Sequence, residues 1–378
     1  MAACQWQVVA KLCMKIVHIV NNLREGGIQK FLVSLAIQQS KYGHEVSVVS
    51  VDKYENGFCN FLDQRLQDNG VCTYCLEKIR ANRLSALIAI FRMMRLISKL
   101  SPDIVNSHGS MAHTIASVAC YFSNATHCCT IHSAPEQWTR IEKIANHNVP
   151  LVFCSDSAFA LREQYSRIMV AINNGISHEE VHSDRIYDLK KELKLNDDDR
   201  IVVLIGTQRP VKNYRFLTGI ANEMAKENVH FCICGGYYNV KGEKNPDYEI
   251  IEELTTISNV HLLGLRYNIS EIENGADLYM SCSLREGLPI SALEAFFNGI
   301  PCVLSPIIQH KAISKGIAEC YIPEEFSQES FINSIKTALA NNVEHKKEAI
   351  WKERESVLQG FTIERCASEY INFYEKIR

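Results

Sequence analysis

Residues 281–305 read SCSLREGLPISALEAFFNGIPCVLS, and this stretch has the most informative pattern of the sequence. It follows a short apolar strand, Asp277 to Met280, and opens with a polar turn. A helix then begins at Pro289 and ends near Gly299, and a second strand runs from Pro301 to Ser305. Proline in the first turn of a helix and glycine just past the last turn fit the usual preferences of helix ends. The sequence therefore predicts a strand, loop, helix, strand unit.

Two carboxylates belong to this unit, Glu286 in the loop and Glu294 in the helix. The amide groups near Gly287 and Leu288 would be unpaired at the helix start, where the helix dipole favours a phosphate. Carboxylates beside them could accept hydrogen bonds from sugar hydroxyls. A single glutamate is more often a solvated residue, but Glu294 lies in the apolar run ISALEAFF, where an unpaired carboxylate is costly. The arrangement suits a pocket for a nucleotide sugar.

The sequence EGLPISALEA, with seven residues between its glutamates, resembles the E-x(7)-E signature of family 4 retaining glycosyltransferases, in particular the bacterial surface-polysaccharide type. Their GT-B fold is an α/β fold with two doubly wound Rossmann-like domains that face a central cleft. The resemblance implies that Glu286 is catalytic and holds hydroxyls of the donor sugar, while Glu294 holds the ribose. It places Gly287 and Leu288 at the donor phosphates.

The length and composition limit the class of protein. With 378 residues the chain suits two domains, and its net charge of -3 gives no sign of a nucleic-acid partner. The 15 cysteines are scattered, which favours free thiols in a reducing cytosol. Cys72 and Cys75 form a lone C-x-x-C, which we interpret as buried strand cysteines, with a zinc or redox site as the alternative.

No segment is long and apolar enough to suggest a transmembrane helix, and residues 1–13 lack the apolar region of an export signal. Those first residues are either a poorly ordered extension or a misassigned start. We therefore expect a cytoplasmic protein, and peripheral contact with the inner face of the membrane stays open.

The first half of the chain opens with the β-branched run KIVHIV, from Lys15 to Val20, a glycine turn, and a helix from about Ile28. This is the first unit of a doubly wound domain. Gly26 and Gly27 would let the backbone approach a ligand, although a plain tight turn would look the same. The sequence GGIQK resembles the family's GG-x-[EQ]-[RK] turn, which implies that Gly27 lies at the donor phosphates.

Two histidines follow predicted strands, His108 after DIVNS and His132 after Cys128 to Ile131. Ligands of open α/β sheets bind beyond the carboxyl ends of strands, so we expect both histidines to face a cleft. The resemblance implies that His132 is catalytic, near the donor phosphates and the reacting carbon, and that His108 lies on the acceptor side. Either could instead be a structural histidine.

Residues Arg83 to Leu100 predict an amphipathic helix with basic residues among apolar ones. We expect a crossover helix that packs on its sheet and turns a charged face outward. Docking of this helix on anionic lipid is the alternative.

The composition changes after Ser177, where a charged, strand-poor segment begins. We therefore predict an acceptor-side domain over residues 1–177 and a domain that binds the nucleotide-sugar donor over residues 178–361. By resemblance, a last helix over residues 362–378 completes the first domain.

The second domain starts with IVVLIG, and the loop TQRPVKN follows. By resemblance, Lys212 in this loop holds the donor diphosphate, although a loop lysine is otherwise usually solvated. The family commonly has arginine directly after the glycine; Thr207 stands there, and Arg209 could serve in its place. The resemblance places the nucleotide base against Leu265 and Arg266.

The expected activity is retaining transfer of a hexosyl or related sugar to an acceptor hydroxyl, in surface polysaccharide biosynthesis, on a lipid-linked or oligosaccharide acceptor. We expect no cofactor and no metal site, because the only run like a metal-binding Asp-x-Asp, Asp197 to Asp199, lies in a charged linker and should be solvated. A sugar-nucleotide epimerase of the same fold and a non-catalytic binding subunit remain alternatives.

Overall fold

The computed structural model describes residues 13–24, 26–54, 57–79, 82–133, 144, 147–160, 166–181, 183, 185–236, 248–341 and 347–378. The predicted extension falls almost wholly outside these residues. Of a helix that the sequence predicts from Ser157 to about Arg167, residues 161–165 lie outside them, and Ser166 and Arg167 are not helical.

The strands and helices alternate along both halves of the chain. In the first half they are β1 Lys15–Val20, α1 Gly27–Lys41, β2 Glu45–Asp52, α2 Gly57–Asp68, β3 Cys72–Lys78, α3 Arg83–Leu100, β4 Ile104–His108, α4 Ser110–Tyr121, β5 Thr126–Ile131, β6 Leu151–Phe153, α5 Asp156–Ala160 and β7 Met169–Ala171. In the second half they are α6 His178–Val181, α7 Leu189–Leu193, β8 Arg200–Ile205, α8 Leu217–Met224, β9 Val229–Cys234, α9 Tyr248–Thr255, β10 Val260–Gly264, α10 Ile269–Gly275, β11 Leu278–Ser281, α11 Ile290–Phe297, β12 Cys302–Leu304, α12 Ile308–Ile313, β13 Cys320–Tyr321, α13 Gln328–Asn341, α14 Lys347–Leu358 and α15 Ile363–Ile377.

The strands form two parallel sheets. The first has the order β3-β2-β1-β4-β5-β6-β7 and the second the order β10-β9-β8-β11-β12-β13. In each sheet the chain starts at a central strand, builds outward to one side and then returns to build the other side. Helices cover both faces of such sheets, which is why β1 and β8 are nearly continuous apolar runs. The predicted pair of doubly wound domains is confirmed.

Helix α15 returns to the first sheet. The Ile363 amide donates to the Ile176 carbonyl at 2.9 Å, where the chain crosses back. Tyr370 and Tyr374 are fully buried against the sheet, and the Tyr374 hydroxyl accepts a hydrogen bond from Asn106 Nδ2 at 2.8 Å. The last helix is thus part of the core under the first sheet.

Helix α3 packs through Ala89, Met93 and Ile97 in a cluster with strands of the first sheet and α4. The predicted charged outer face is found in the second half of the helix, where Arg92, Arg95 and Lys99 are exposed. The first half differs from the prediction, because its solvent side carries apolar residues about one helical turn apart. These are Leu84, Leu87, Ile88 and Phe91, which are 67%, 64%, 47% and 56% exposed.

Two smaller predictions also need correction. Cys72 is exposed on β3 rather than buried, and Cys75 is half-buried. Asp197 and Asp198 are exposed as predicted, but Asp199 is buried, and its carboxylate accepts a hydrogen bond from the Asn196 amide at 2.7 Å. The cysteines of the described ranges are free thiols.

Among the described residues, no helix combines the length and the apolar character that a membrane-spanning segment needs. Within the same part of the chain, no group of three or more histidine, cysteine or acidic side chains is placed to hold a metal ion.

A buried arginine holds the end of α11. Arg354 on α14 is fully buried and donates to the carbonyls of Ala318 at 2.8 Å, Ile300 at 3.0 Å, Glu319 at 3.2 Å and Phe296 at 3.3 Å. Two of these carbonyls lie in the last turn of α11 and just after it, where a helix has no partners of its own for them. The guanidinium therefore fixes the helix that carries Glu294.

Replacing Arg354 with methionine should lower the free energy of unfolding by about 3 kcal/mol, because several buried carbonyls lose their donors. Unfolding in urea, followed by fluorescence, measures the change. Lys352→Met is the matched control, since Lys352 forms only an exposed pair with Glu348 on the same helix and should cost less than about 1 kcal/mol. Equal losses in the two variants would contradict the role of Arg354.

Candidate active site

The carboxyl ends of the strands of both sheets open onto one cleft of about 890 Å³. The cleft lies between α1 and His132 on the first side, and the loop after β8 and the loop before α11 on the second. This is where ligands of open parallel sheets bind. Most of the residues predicted from the sequence line it: Gly27, His132, Arg209, Lys212, Leu265, Arg266, Glu286, Gly287, Leu288 and Glu294.

Lys212 and Glu286 form an ion pair in this cleft, with 2.7 Å between Lys212 Nζ and Glu286 Oε1. Their side chains are only 19% and 14% exposed. Lys212 ends the short 3-10 helix Pro210–Lys212 after β8, and its side chain passes over Gly206. A Cβ on Gly206, whose φ is +156°, would lie 2.8 Å from Lys212 Cε. Glycine there lets the lysine reach the carboxylate.

The charge of Glu286 follows from its surroundings. Burial raises the pKa of this carboxyl, but the charge of Lys212 and its hydrogen bond outweigh burial, so the net pKa is lowered. Glu286 is therefore an ionised carboxylate near neutral pH. An ionised carboxylate only accepts hydrogen bonds, so the groups it can bind are donors such as hydroxyls.

The loop before α11 touches the first domain at His132. A Cβ on Gly287 would lie 1.8 Å from the His132 carbonyl oxygen, so only glycine fits at this contact. On the same loop, the Gly287 carbonyl accepts a hydrogen bond from Ser155 Oγ at 3.0 Å. Leu288 is buried next to it. These contacts bring the acidic loop of one domain to the histidine of the other.

A second ion pair crosses the cleft, between Lys30 Nζ on α1 and Glu294 Oε1 on α11 at 2.9 Å. The sequence reasoning missed Lys30, although it is the lysine of the GGIQK turn. Gly27 in the same turn packs against Ile290, the first residue of α11. The start of α1 and the start of α11 thus face each other.

Arg209 lies at the start of the 3-10 helix Pro210–Lys212 and lines the cleft. The predicted base-side residues lie at the far end. Leu265 packs against an apolar cluster of the first domain. Arg266 is ion-paired with Glu192, and its Nε donates to the Leu263 carbonyl at 3.1 Å.

An aromatic contact that the sequence did not reveal also lines the cleft. The rings of Phe61 on α2 and Tyr267 meet edge to face, with 5.4 Å between centroids. No motif marked these residues, because their contact depends on how the two domains meet.

The two predicted histidines take different places. His132 lines the cleft, as expected. The prediction that His108 faces the cleft is wrong: its side chain is 1% exposed, because its ring is bonded between His18 and His132. His108 therefore lies behind His132 and is too deeply buried to touch an acceptor.

Histidines whose pKa is lowered in the folded protein predict acid sensitivity. Burial lowers the pKa of His18 and His310 to about 4 and that of His127 and His132 to about 3. In the unfolded chain these groups titrate near pH 6.5, so between pH 7 and pH 5 the unfolded state binds protons that the folded state refuses. The free energy of unfolding should therefore decrease as the pH is lowered from 7 to 5, by up to about 1.4 kcal/mol per pH unit for each histidine.

Urea unfolding at pH 7, 6 and 5 measures this dependence. The variant His127→Gln, whose side chain lies outside the cleft lining, should reduce the slope by up to one proton. A free energy that is constant over this range, or that rises as the pH falls, would contradict the burial of neutral histidines.

Two protein-family models match the chain, one over each of the two domains that form the cleft. The model described as "Glycosyltransferase Family 4" matches residues 25–179, and the model described as "Glycosyl transferases group 1" matches residues 186–356. The two matches divide between the domain of His132 and the domain of Lys212, Glu286 and Glu294.

Individual proteins agree with the family models. UDP-Gal:alpha-D-GlcNAc-diphosphoundecaprenol alpha-1,3-galactosyltransferase of Escherichia coli is 23% identical, and the alignment covers 96% of each chain. N,N'-diacetylbacillosaminyl-diphospho-undecaprenol alpha-1,3-N-acetylgalactosaminyltransferase of Campylobacter jejuni is 22% identical over 64% of this chain and 69% of that one. The crystal structure of Anabaena HepE with UDP and glucose superposes with a TM-score of 0.79 at 15% identity, over 96% of this chain and all of the other. The predicted family is thereby confirmed: the chain belongs to the group 1 and family 4 glycosyltransferases and is a glycosyltransferase of the GT-B fold.

Proposed function

We propose that the chain transfers a hexosyl or related sugar from a nucleotide diphosphate donor to a hydroxyl of a lipid-linked saccharide, with retention at the anomeric carbon and without a metal ion. The observation that carries the proposal is the buried Lys212–Glu286 pair in the cleft, which sets a cation for phosphate beside an ionised acceptor for hydroxyls. Surface polysaccharide assembly is the proposed setting.

The cations of the cleft suit the leaving diphosphate. As the bond between the sugar and the diphosphate breaks, negative charge grows on the phosphate oxygens. Lys212, and Arg209 at the start of the same 3-10 helix, would stabilise that charge from fixed positions, together with the amides before α11. A group that is already in place needs no reorganisation when the charge develops.

The carboxylates suit the sugar and the ribose. Glu286 would accept hydrogen bonds from hydroxyls of the transferred sugar, while Glu294 would accept them from the ribose. Both carboxylates have lysine partners, and the Lys212 charge keeps the pKa of Glu286 low until a ligand arrives. Leu265 and Arg266, at the far end of the cleft, would contact the base.

The relatives support the nature of both substrates. The Escherichia coli relative's name gives UDP-galactose as donor and a diphosphoundecaprenol-linked sugar as acceptor, and Anabaena HepE was crystallised with UDP and glucose. Retention is proposed from the resemblance to family 4. The anomeric configuration of the first product, read by NMR, decides between retention and inversion, and activity that persists in excess EDTA would support the metal-free reaction.

Two variants test the Lys212–Glu286 pair. Lys212→Met should abolish most of the rise in melting temperature that the best of UDP, GDP and ADP gives, because the diphosphate loses its cation. Glu286→Gln should stay folded but lose at least about 100-fold in transfer rate, because a neutral amide accepts weaker hydrogen bonds from the hydroxyls of the transferred sugar than an ionised carboxylate does. A radiolabelled transfer assay and thermal shifts measure the two effects.

Lys226→Met is the matched control, since Lys226 is an exposed lysine of the same domain. It should change neither the thermal shift nor the transfer rate. Full transfer by Glu286→Gln at saturating donor would contradict the assigned role. Conversion of a nucleotide sugar alone into its epimer would favour the epimerase alternative, and nucleotide binding without transfer or conversion would favour a binding subunit.

We also propose that the outer face of α3 rests on an anionic bilayer, where a lipid-linked acceptor would be held. Leu84, Leu87 and Phe91 lie on this face, and Arg95 stacks over the Phe91 ring with 4.9 Å from its Cζ to the ring centroid. Apolar side chains flanked by basic groups are the pattern of helices that lie at a membrane surface.

The double variant Leu84→Ser/Leu87→Ser should bind vesicles of 30% phosphatidylglycerol in phosphatidylcholine at least about tenfold more weakly than the parent chain, because two apolar side chains no longer enter the interface. Co-sedimentation measures the binding. Ile186→Ser, which changes an exposed apolar residue outside this face, should bind as the parent does. Absence of binding by the parent chain, or equal binding by all three proteins, would refute the membrane contact.

A further inference from the structure

Three histidines of the first domain stand in a diagonal row. On neighbouring strands, Val20 of β1 pairs with His108 of β4, and His108 pairs with Thr130 of β5. His18 lies two residues before Val20, and His132 two residues after Thr130. Because side chains alternate along a strand, a step of two residues keeps the three rings on one face of the sheet. The row runs from the core toward the cleft.

The rings are joined by hydrogen bonds. His18 Nδ1 and His108 Nε2 are 3.0 Å apart, and His108 Nδ1 and His132 Nε2 are 2.9 Å apart. At the buried end, His18 Nε2 lies 2.7 Å from Gln39 Oε1 on α1. Four side chains therefore make one continuous chain that ends at the cleft.

Each ring of this chain is neutral. Burial lowers the pKa of His18 to about 4 and that of His132 to about 3, and it lowers the pKa of His108 well below its ordinary value. A neutral imidazole carries one proton, so one nitrogen donates and the other accepts. Near neutral pH the three rings hold three protons.

Three protons are what the three hydrogen bonds of the chain need. Gln39 Oε1 can only accept, so His18 donates through Nε2 and accepts through Nδ1. His108 must then donate through Nε2 to His18 Nδ1, which leaves His108 Nδ1 as an acceptor. His132 must therefore donate through Nε2 to His108 Nδ1. The nitrogen left without a proton is Nδ1 of His132. Of the three hydrogen-bonded histidines, His132 is the one that lines the cleft.

We propose that Gln39, acting through His18 and His108, is a positioning residue that holds His132 in its Nε2–H tautomer and so presents His132 Nδ1 to the cleft as a hydrogen-bond acceptor. The proposal rests on the proposed function for the partner of Nδ1, which would be a hydroxyl of the transferred sugar or of the acceptor saccharide. The opposite tautomer would present an N–H group, which cannot accept a proton from a hydroxyl.

Helix α1 ties this chain to the rest of the site. Phe31 meets the His132 ring edge to face, with 5.7 Å between centroids, and is itself buried. Gln39 lies two turns further along the same helix, and Lys30 at its start reaches Glu294. One helix thus orients the His132 ring, fixes its proton through Gln39 and pairs with the second domain.

NMR of the protein with ¹⁵N-labelled histidine tests the proposal, with the His132 signals assigned through a His132→Gln variant. In the parent chain at pH 7.5, His132 should show a protonated Nε2 and an unprotonated Nδ1. Gln39→Met removes the acceptor oxygen at similar length, so His132 should become a mixture of tautomers. Transfer should lose about tenfold in kcat with little change in the donor KM, because the ring stays in place while its acceptor is populated only in part.

His127→Gln is the matched control, because His127 is a half-buried histidine of β5 that bonds Ser107 Oγ at 3.0 Å and lies outside the row of His18, His108 and His132. It should change neither the His132 tautomer nor kcat. A protonated Nδ1 in the parent chain would overturn the proposal, as would a Gln39→Met variant with the parent's tautomer or the parent's kcat.

The spectrum of the parent protein shows which nitrogen of His132 carries the proton, and so in which direction the hydrogen bonds run, even if Gln39→Met does not fold. Since the tautomer is read without substrate, this measurement also separates the two proposals. A parent chain with the expected tautomer but no transfer from any nucleotide sugar would count against the proposed function and not against the histidine chain.

Discussion

The approach of Gly287 to the His132 carbonyl is the contact on which the site depends. There is no room for a Cβ between them, so the loop that carries Glu286 lies directly against the end of β5. This approach sets Lys212 and Glu286 of one domain opposite the row of histidines of the other. A second contact across the cleft is the ion pair between Lys30 on α1 and Glu294 on α11, which joins these two helices of different domains.

The ion pairs of the cleft are better explained by ligand binding than by stability. Taking a lysine and a glutamate out of water costs about as much as their attraction returns, so a buried pair contributes little to folding. It does keep both charges present in a cleft that is partly closed to water. A nucleotide sugar that offers phosphates to Lys212 and hydroxyls to Glu286 would replace each partner with a better one. On the proposed function, the site would be preorganised for a ligand that carries both kinds of group.

Much of the fold could be predicted from the sequence, since the β-branched runs and the glycine turns after them mark parallel strands and the helices between. The E-x(7)-E spacing located the acidic residues of the cleft. Sequence could not show that His108 lies behind His132, because their hydrogen bond depends on the order of strands in the sheet. The apolar part of the outer face of α3 was also missed, because an amphipathic pattern does not say which apolar residues the sheet will cover. Lys30 needed a partner from 264 residues away before its role was visible.

The most direct test of the account is a crystal structure with whichever of UDP, GDP and ADP raises the melting temperature most. In that structure a diphosphate oxygen should lie within hydrogen-bond distance of Lys212 Nζ, the ribose hydroxyls should contact Glu294, and the end of the diphosphate should point toward His132. A nucleotide bound outside the cleft, or one whose diphosphate leaves the Lys212–Glu286 pair untouched, would contradict the central claim.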